Sequence, residues 1–418
     1  MSRIGPALAE RDFRLWWLAM LAMGTSLQML EVAIGWEVYA QHRSALDLGW
    51  IGLAEFIPMF VLALPAGQLA DRLPRRLVFA GSLLLGSGIG VGLAIVTSSG
   101  VTSVIPYLAL ALGAGVTMAL GTPAARAMPP TLVGAEMLAN AMTLRAVAVQ
   151  GAQVVGPAIG GFLYGVSPSL VYLLSSGWCL LATACVLAMH PAAAAEPTAA
   201  VADGRPPGLH SVLEGLRFVR HTPILLGAIL LDLLAVLFGG AVALLPVFAR
   251  SILHVGAAGL GILRAAPAIG AIIGAVMLTR RPIAGRAGRL LLIVVGLYGA
   301  SIIVFGVSRW FPLSLVALGV GGLVDLYSMQ IRGTTVALAT PDRLRGRVTA
   351  VEMVFISASN QLGAFESGLA AFLFGTLPAV IGGGVLTVVI ALGWGRLFPA
   401  LANVDRLEEI TPVVPVAV

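Results

Sequence analysis

Apolar runs of about twenty residues alternate with short polar turns along the whole chain. Twelve such runs stand near 14–40, 48–69, 77–97, 102–124, 138–164, 169–189, 222–249, 257–279, 290–308, 311–338, 348–374 and 378–397. At 1.5 Å per residue, each is long enough to cross a hydrocarbon layer of roughly 30 Å as a helix. The alternating ten-residue segments of a transmembrane barrel do not occur. The pattern predicts an all-α polytopic membrane protein. Residues 1–14 are polar and basic, and the first run is long enough to span, so no cleaved leader is expected.

The longest interval between runs is 190–221. It opens on an Ala-Pro-rich stretch and closes on 209–220, which has the pattern of a short amphipathic helix. It divides the chain into an N-terminal six-helix bundle (1–189), a linker (190–221), a C-terminal six-helix bundle (222–398) and a tail (399–418). The halves repeat. Segments 129–165 and 339–375 have 37 residues each at an offset of 210, and end in Phe162-Leu163-Tyr164-Gly165 and Phe372-Leu373-Phe374-Gly375. The expected architecture is two pseudo-symmetric bundles of six helices.

Charge orients this array and excludes several functions. Only 11% of the 418 residues are charged, against roughly a quarter in soluble domains. All 25 basic residues are Arg, so the chain has neither the lysine of a phosphate-binding loop nor a Schiff-base lysine. The five His lie outside the runs, and no nucleophile–His–acid set or metal-ligand cluster occurs within them, so neither an enzyme, a metal nor a cofactor is expected. Nineteen Arg fall in loops and tails on the side of Arg72, and three (Arg43, Arg250, Arg309) on the other. An excess of Arg marks the cytoplasmic side, which places both termini in the cytoplasm of a bacterial-type inner membrane. The net charge of +6 follows from those loops and not from a nucleic-acid surface. Cys179 and Cys185 share one apolar run and read as apolar filling.

Charge inside a span is costly and therefore informative. Runs three, six, nine and twelve have none in their interiors, whereas Glu31, Glu55, Arg145, Asp232, Arg264, Asp325, Arg332 and Glu366 lie in the others. Glu31 and Asp232 stand at mid-depth and are candidates for a polar pathway and for ion coupling. Asp325 and Arg332, seven apart on one helical face, could serve the pathway or act as structural partners for Arg264 or Glu366. Arg145 is near enough to a span end to snorkel to water. Glu37 and Glu352, near span ends, are expected to be solvated.

The turn 67–76 reads Gly-Gln-Leu-Ala-Asp-Arg-Leu-Pro-Arg-Arg. Gly67, Asp71, Arg72, Arg75 and Arg76 stand at the spacing of the loop between helices two and three of the major facilitator superfamily, which the chain resembles. The second-half counterpart, 280–289, keeps the Arg cluster and lacks the Asp. Gly156-Pro157-x-x-Gly160-Gly161 resembles the antiporter signature of that superfamily's exporters, with Ala152 where a further Gly is expected. Arg11-x-Phe13-Arg14, Leu46-x-Leu48-Gly49-x-Ile51-Gly52-Leu53, Pro341-Asp342-x-x-Arg345-Gly346-Arg347-Val348 and the stretch from Ser359-Asn360-Gln361 to Glu366-Ser367-Gly368 are similar to its enterobactin-exporter and macrolide-efflux-like branch.

The resemblance implies the major facilitator fold. It also implies a monomeric secondary transporter in the lipid bilayer that exports a small organic molecule, a siderophore or amphipathic drug, with protons as the candidate coupling ion. Asp71, Arg72 and Arg76 would then lock one conformational state. The helices lining its cavity would present Met23, Gln28, Glu31, Thr117, Met118, Asp232, Phe238, Asp325, Tyr327, Gln330 and Arg332. A lipid or lysophospholipid transporter of the same fold, and a permease driven by a separate ATPase, are the alternatives.

Overall fold

A computed structural model describes residues 5–190, 209–283 and 285–412; side chains at 63–64, 66–72 and 209–212 lie outside the description. Twelve long helices follow in order: α1 (Arg11–His42), α2 (Ala45–Arg72), α3 (Arg75–Ser98), α4 (Ile105–Arg126), α5 (Leu138–Val166), α6 (Pro168–Leu187), α7 (Pro223–Phe238), α8 (Gly256–Arg280), α9 (Ala287–Val307), α10 (Phe311–Ala339), α11 (Asp342–Phe374) and α12 (Thr376–Leu397). A linker helix, Leu209–His221, precedes α7. Helix boundaries follow backbone chemistry. Proline stands in the first turn of α4, α6, α7 and α10, where its missing N–H costs nothing, and α1 ends on Arg43 in the left-handed region.

Eleven of the described helices are long and apolar enough to cross a membrane. The twelfth expected span, 348–374, is present as helix α11, but its Glu352, Asn360, Gln361 and Glu366 leave it more polar than the rest. On α3, α6, α9 and α12 large apolar side chains stand exposed, among them Leu84, Ile95, Leu173, Leu181, Ile293, Val304, Val389 and Leu392. Apolar bands of that extent require a non-aqueous solvent.

The chain forms two compact units. Unit 1 comprises 1–43, 54–206 and 255–265; unit 2 comprises 44–53, 207–254 and 266–418. Each unit therefore owns the opening residues of a helix, α8 or α2, whose remainder belongs to the other. In unit 1 the indoles of Trp16 and Trp17 donate to the carbonyls of Ala125 (3.2 Å) and Leu144 (2.8 Å), and Ser26 shares a 2.6 Å hydrogen bond with Ser175. Small polar groups bridging helices in this way supply association where no hydrophobic force operates between them.

The expected seventh span, 222–249, is not one helix. Helix α7 stops at Phe238, and the chain continues through a 3-10 turn (Ala241–Leu244), a short helical turn (Leu245–Val247) and a π turn (Phe248–Ile252). Gly239-Gly240 and Pro246 supply the physical cause, weak helix formers followed by a missing donor. Carbonyls released by the break are recaptured: Tyr298 donates to Gly239 O at 3.2 Å and Ser367 to Gly240 O at 3.2 Å.

Candidate transport site

Three polar constellations lie among the apolar helices. In unit 1, Glu31 of α1 forms an ion pair with Arg264 of α8. The pair is half-open: the Glu31 side chain is 35% exposed and that of Arg264 20%. Arg264 Nε is buried and has no hydrogen-bond partner among the described residues. The sequence marked Glu31 as a mid-depth candidate without fixing a partner; the structure joins it to Arg264.

Further along α1 lies a group that sequence reasoning misread. Glu37, expected to be solvated, is 3% exposed. Tyr107 (2.8 Å) and Thr97 (2.8 Å) donate to its Oε1, Gln41 approaches the same oxygen at 3.4 Å, and Tyr172 donates to Oε2. Donors from α3, α4 and α6 thus converge on one carboxylate. The signal available beforehand was indirect: a Glu on an apolar helix, with tyrosines near the ends of two other helices.

In unit 2, Asp232 of α7 pairs with Arg332 of α10, their side chains 9% and 7% exposed. Asp325, two turns before Arg332, is exposed and interacts electrostatically with both members of the pair. Glu352 of α11, also expected to be solvated, is half-buried and feels the same two charges. Arg332 is therefore committed to Asp232, and neither Arg264 nor Glu366 is its partner.

The glycine signature on α5 has a packing role. A side chain at Gly156 would collide with Thr25 and Gln28 of α1, and one at Gly160 with the Met29 backbone. Gly161 faces Ala257 and Gly261 of α8 at equally close range, and the Pro157 carbonyl fills the space a Gly261 side chain would need. The flat face of α5 therefore receives α1 and the start of α8, the two helices that carry Glu31 and Arg264. Unit 2 repeats the device: Gly49 and Gly52 of α2 lie against Phe365, Gly368 and Ala364 of α11.

In the 67–76 turn, α2 runs to Arg72 and α3 begins at Arg75. The side chains of Gly67, Asp71 and Arg72 lie outside the described residues. Arg75 donates to Ala127 O at 3.1 Å, and Arg76 to Met189 O (2.6 Å) and Leu187 O (2.9 Å). These are orphan carbonyls at the C-terminal ends of α4 and α6, where a cation also complements the helix dipole. Of the remaining candidates, Gln28 packs on Gly156, Met23 and Tyr327 pack against buried clusters of their own units, and Thr117 donates to Gly113 O at 3.1 Å. Gln330 is exposed and Met118 half-buried. Both cysteines are free, and no metal-ligand cluster occurs among the described residues.

Apolar helices of spanning length define an all-α polytopic membrane protein, and solved structures share its fold. The nucleoside transporter NupG superposes with a TM-score of 0.73 at 11% identity, covering 93% of this chain and 100% of that one. A bacterial homolog of the human lysosomal transporter Spinster, inward-facing and occupied, gives 0.69 at 16% identity over 93% and 97%. These likenesses establish the major facilitator fold. Residues 2–410 match the transmembrane secretion effector family, and the chain belongs to it. Among curated relatives, the enterobactin exporter EntS of Citrobacter koseri is 28% identical over 405 residues, 96% of this chain and 94% of that protein. EntS of Shigella boydii is 27% identical over the same shares.

Proposed function

We propose that this protein is a secondary exporter of a small organic molecule, working by alternating access. The geometric observation that carries this reading is the half-open Glu31–Arg264 pair, held between helices that pack through bare glycine faces. A buried pair serves folding; a pair that water reaches can exchange partners with a proton or a charged substrate. Relatives described as enterobactin exporters support a siderophore-like substrate. They give less support to a lipid transporter or an ATPase-driven permease. We read residues 1–189 and 222–398 as the two bundles, the linker 190–221 and both termini as cytoplasmic, the working unit as a monomer, and the proton as the coupling ion. Asp71 and Arg72 would lock one state of the cycle.

The test is uptake of a catecholate siderophore by inside-out vesicles under an imposed proton gradient. Accumulation that collapses with the gradient is expected. Equal uptake by vesicles lacking the protein would overturn the reading. For orientation, a cysteine at exposed Ser99 should react with an impermeant reagent in intact cells, and one at exposed Arg406 should not.

A further inference from the structure

The linker helix, Leu209–His221, has two unlike faces. Gly215, Phe218 and Val219 are buried on unit 2; Phe218 and Val219 join its core, and Gly215 lies against the Arg347 backbone too closely for any side chain. Beside them Glu214 pairs with Arg347 of α11 at 2.6 Å. The other face carries Leu213, 58% exposed, and Leu216, 38% exposed, with Arg217 and Arg220, both exposed. These four follow the i, i+3, i+4, i+7 spacing of a single helical stripe. Arg217 and Arg220 form no ion pair or hydrogen bond among the described residues, and in the first turns of the adjoining α11 Arg343 stands exposed beside Arg345, which pairs with Asp342 at 2.6 Å.

Two residues past the helix, Pro223 opens α7, one of the most apolar spans of the chain. The stripe therefore ends where hydrocarbon begins. A helix of low net hydrophobicity, with leucines and arginines on its free side, has the composition of an interfacial helix. We propose that this stripe binds anionic phospholipid of the cytoplasmic leaflet. Leu213 and Leu216 enter the acyl boundary, Arg217 and Arg220 hold the headgroup phosphates, and the Glu214–Arg347 pair ties the helix to α11. The proposal rests on the cytoplasmic placement of the linker given under Proposed function.

The experiment uses the full chain with Cys179 and Cys185 replaced by Ala and a fluorophore on Leu213→Cys. It is reconstituted with brominated phosphatidylglycerol or brominated phosphatidylcholine. Stronger quenching by phosphatidylglycerol is expected, and the combined Arg217→Gln and Arg220→Gln change should lower that preference roughly thirty-fold. Equal quenching by both lipids overturns the proposal. So does a fluorophore that neither lipid quenches, whether iodide reaches it (a stripe in water) or not (a protein contact). Labelling of His221→Cys by an impermeant reagent in intact cells would overturn the cytoplasmic placement alone, leaving the lipid preference to be read separately.

Discussion

Helices α1 and α7 open the two halves of the chain, and each carries an acidic residue that pairs with an arginine on another helix. They solve the same problem differently. Helix α1 is unbroken for 32 residues, holds Glu37 in a ring of neutral donors and leaves its Glu31–Arg264 pair partly open. Helix α7 has 16 residues, breaks at Gly239, and holds its Asp232–Arg332 pair closed. A helix that ends within apolar surroundings must find partners for its freed carbonyls, and Tyr298 and Ser367 meet that need. The region around α7 is thus committed to structure. The Glu31 pair is more open, its side chains 35% and 20% exposed. Exposure of the pair, more than its depth along the helix, separates a candidate for transport from a candidate for folding.

The hardest test of this contrast is Asp232→Ala. It removes the ion-pair partner of the buried Arg332 guanidinium and leaves only the more distant Asp325 and Glu352, and loss of one member of a buried pair costs up to about 3–5 kcal/mol. Thermal unfolding in detergent should move sharply down, and the double change Asp232→Leu with Arg332→Met should recover most of the loss. An unaltered melting curve for Asp232→Ala would place the α7 pair in the same class as the α1 pair.

Next in size is Glu37→Gln. The amide keeps the shape, but its NH2 cannot accept from the hydroxyls that now converge on the carboxylate. At least one buried hydroxyl is then left without an acceptor, at about 1–3 kcal/mol. The expected result is a lower melting temperature with substrate exchange retained. Lost exchange at unchanged stability would move Glu37 into the transport machinery.

Much of the fold was legible as period and length. Apolar runs predicted ten of the twelve helices to within a few residues; the runs 222–249 and 348–374 missed the end of α7 and the start of α11. The charge-free interiors of α3, α6, α9 and α12 did not set these helices apart, since α2, α5, α8 and α10 also expose large apolar side chains such as Phe60, Phe162, Ile273 and Val316. The break in α7 was hidden because Gly239, Gly240 and Pro246 sit inside a run whose apolarity never falters. Pairings were hidden for another reason. Arg264 is 233 positions from Glu31, Arg332 is 100 from Asp232, and Tyr172 is 135 from Glu37. Side-chain period reports which face a residue occupies and is silent on which distant helix meets that face. The glycine signature was legible as a flat face, but its occupants, α1 and the start of α8, were not.

A smaller effect is expected from Tyr298→Phe, which leaves Gly239 O without its donor. Interhelical hydrogen bonds of this kind average about 0.6 kcal/mol in membranes. A drop of that order in stability, larger when combined with Ser367→Ala, would confirm that the break is held by these hydroxyls. No change in the double variant would mean that the break is sustained by Gly239-Gly240 and Pro246 alone.

The smallest change in stability is predicted for Glu31→Gln, and it sharpens the comparison most. The pair is more open than Asp232–Arg332, so losing one member should cost less than the several kcal/mol of a closed pair. Arg264 left alone can turn to water, which Arg332 in its closed site cannot do. Stability should therefore hold while transport changes. With Glu31 as the coupling carboxylate, the variant should lose accumulation driven by a proton gradient and keep exchange of substrate down its own gradient. Arg264→Gln should spare folding equally, and should weaken uptake of an anionic substrate more than that of a neutral one, because it removes the cation and leaves the acid. Full gradient-driven accumulation by a well-expressed Glu31→Gln protein would overturn the role given to α1. Asp325, which interacts with the charges of the Asp232–Arg332 pair, would then be the next carboxylate to substitute.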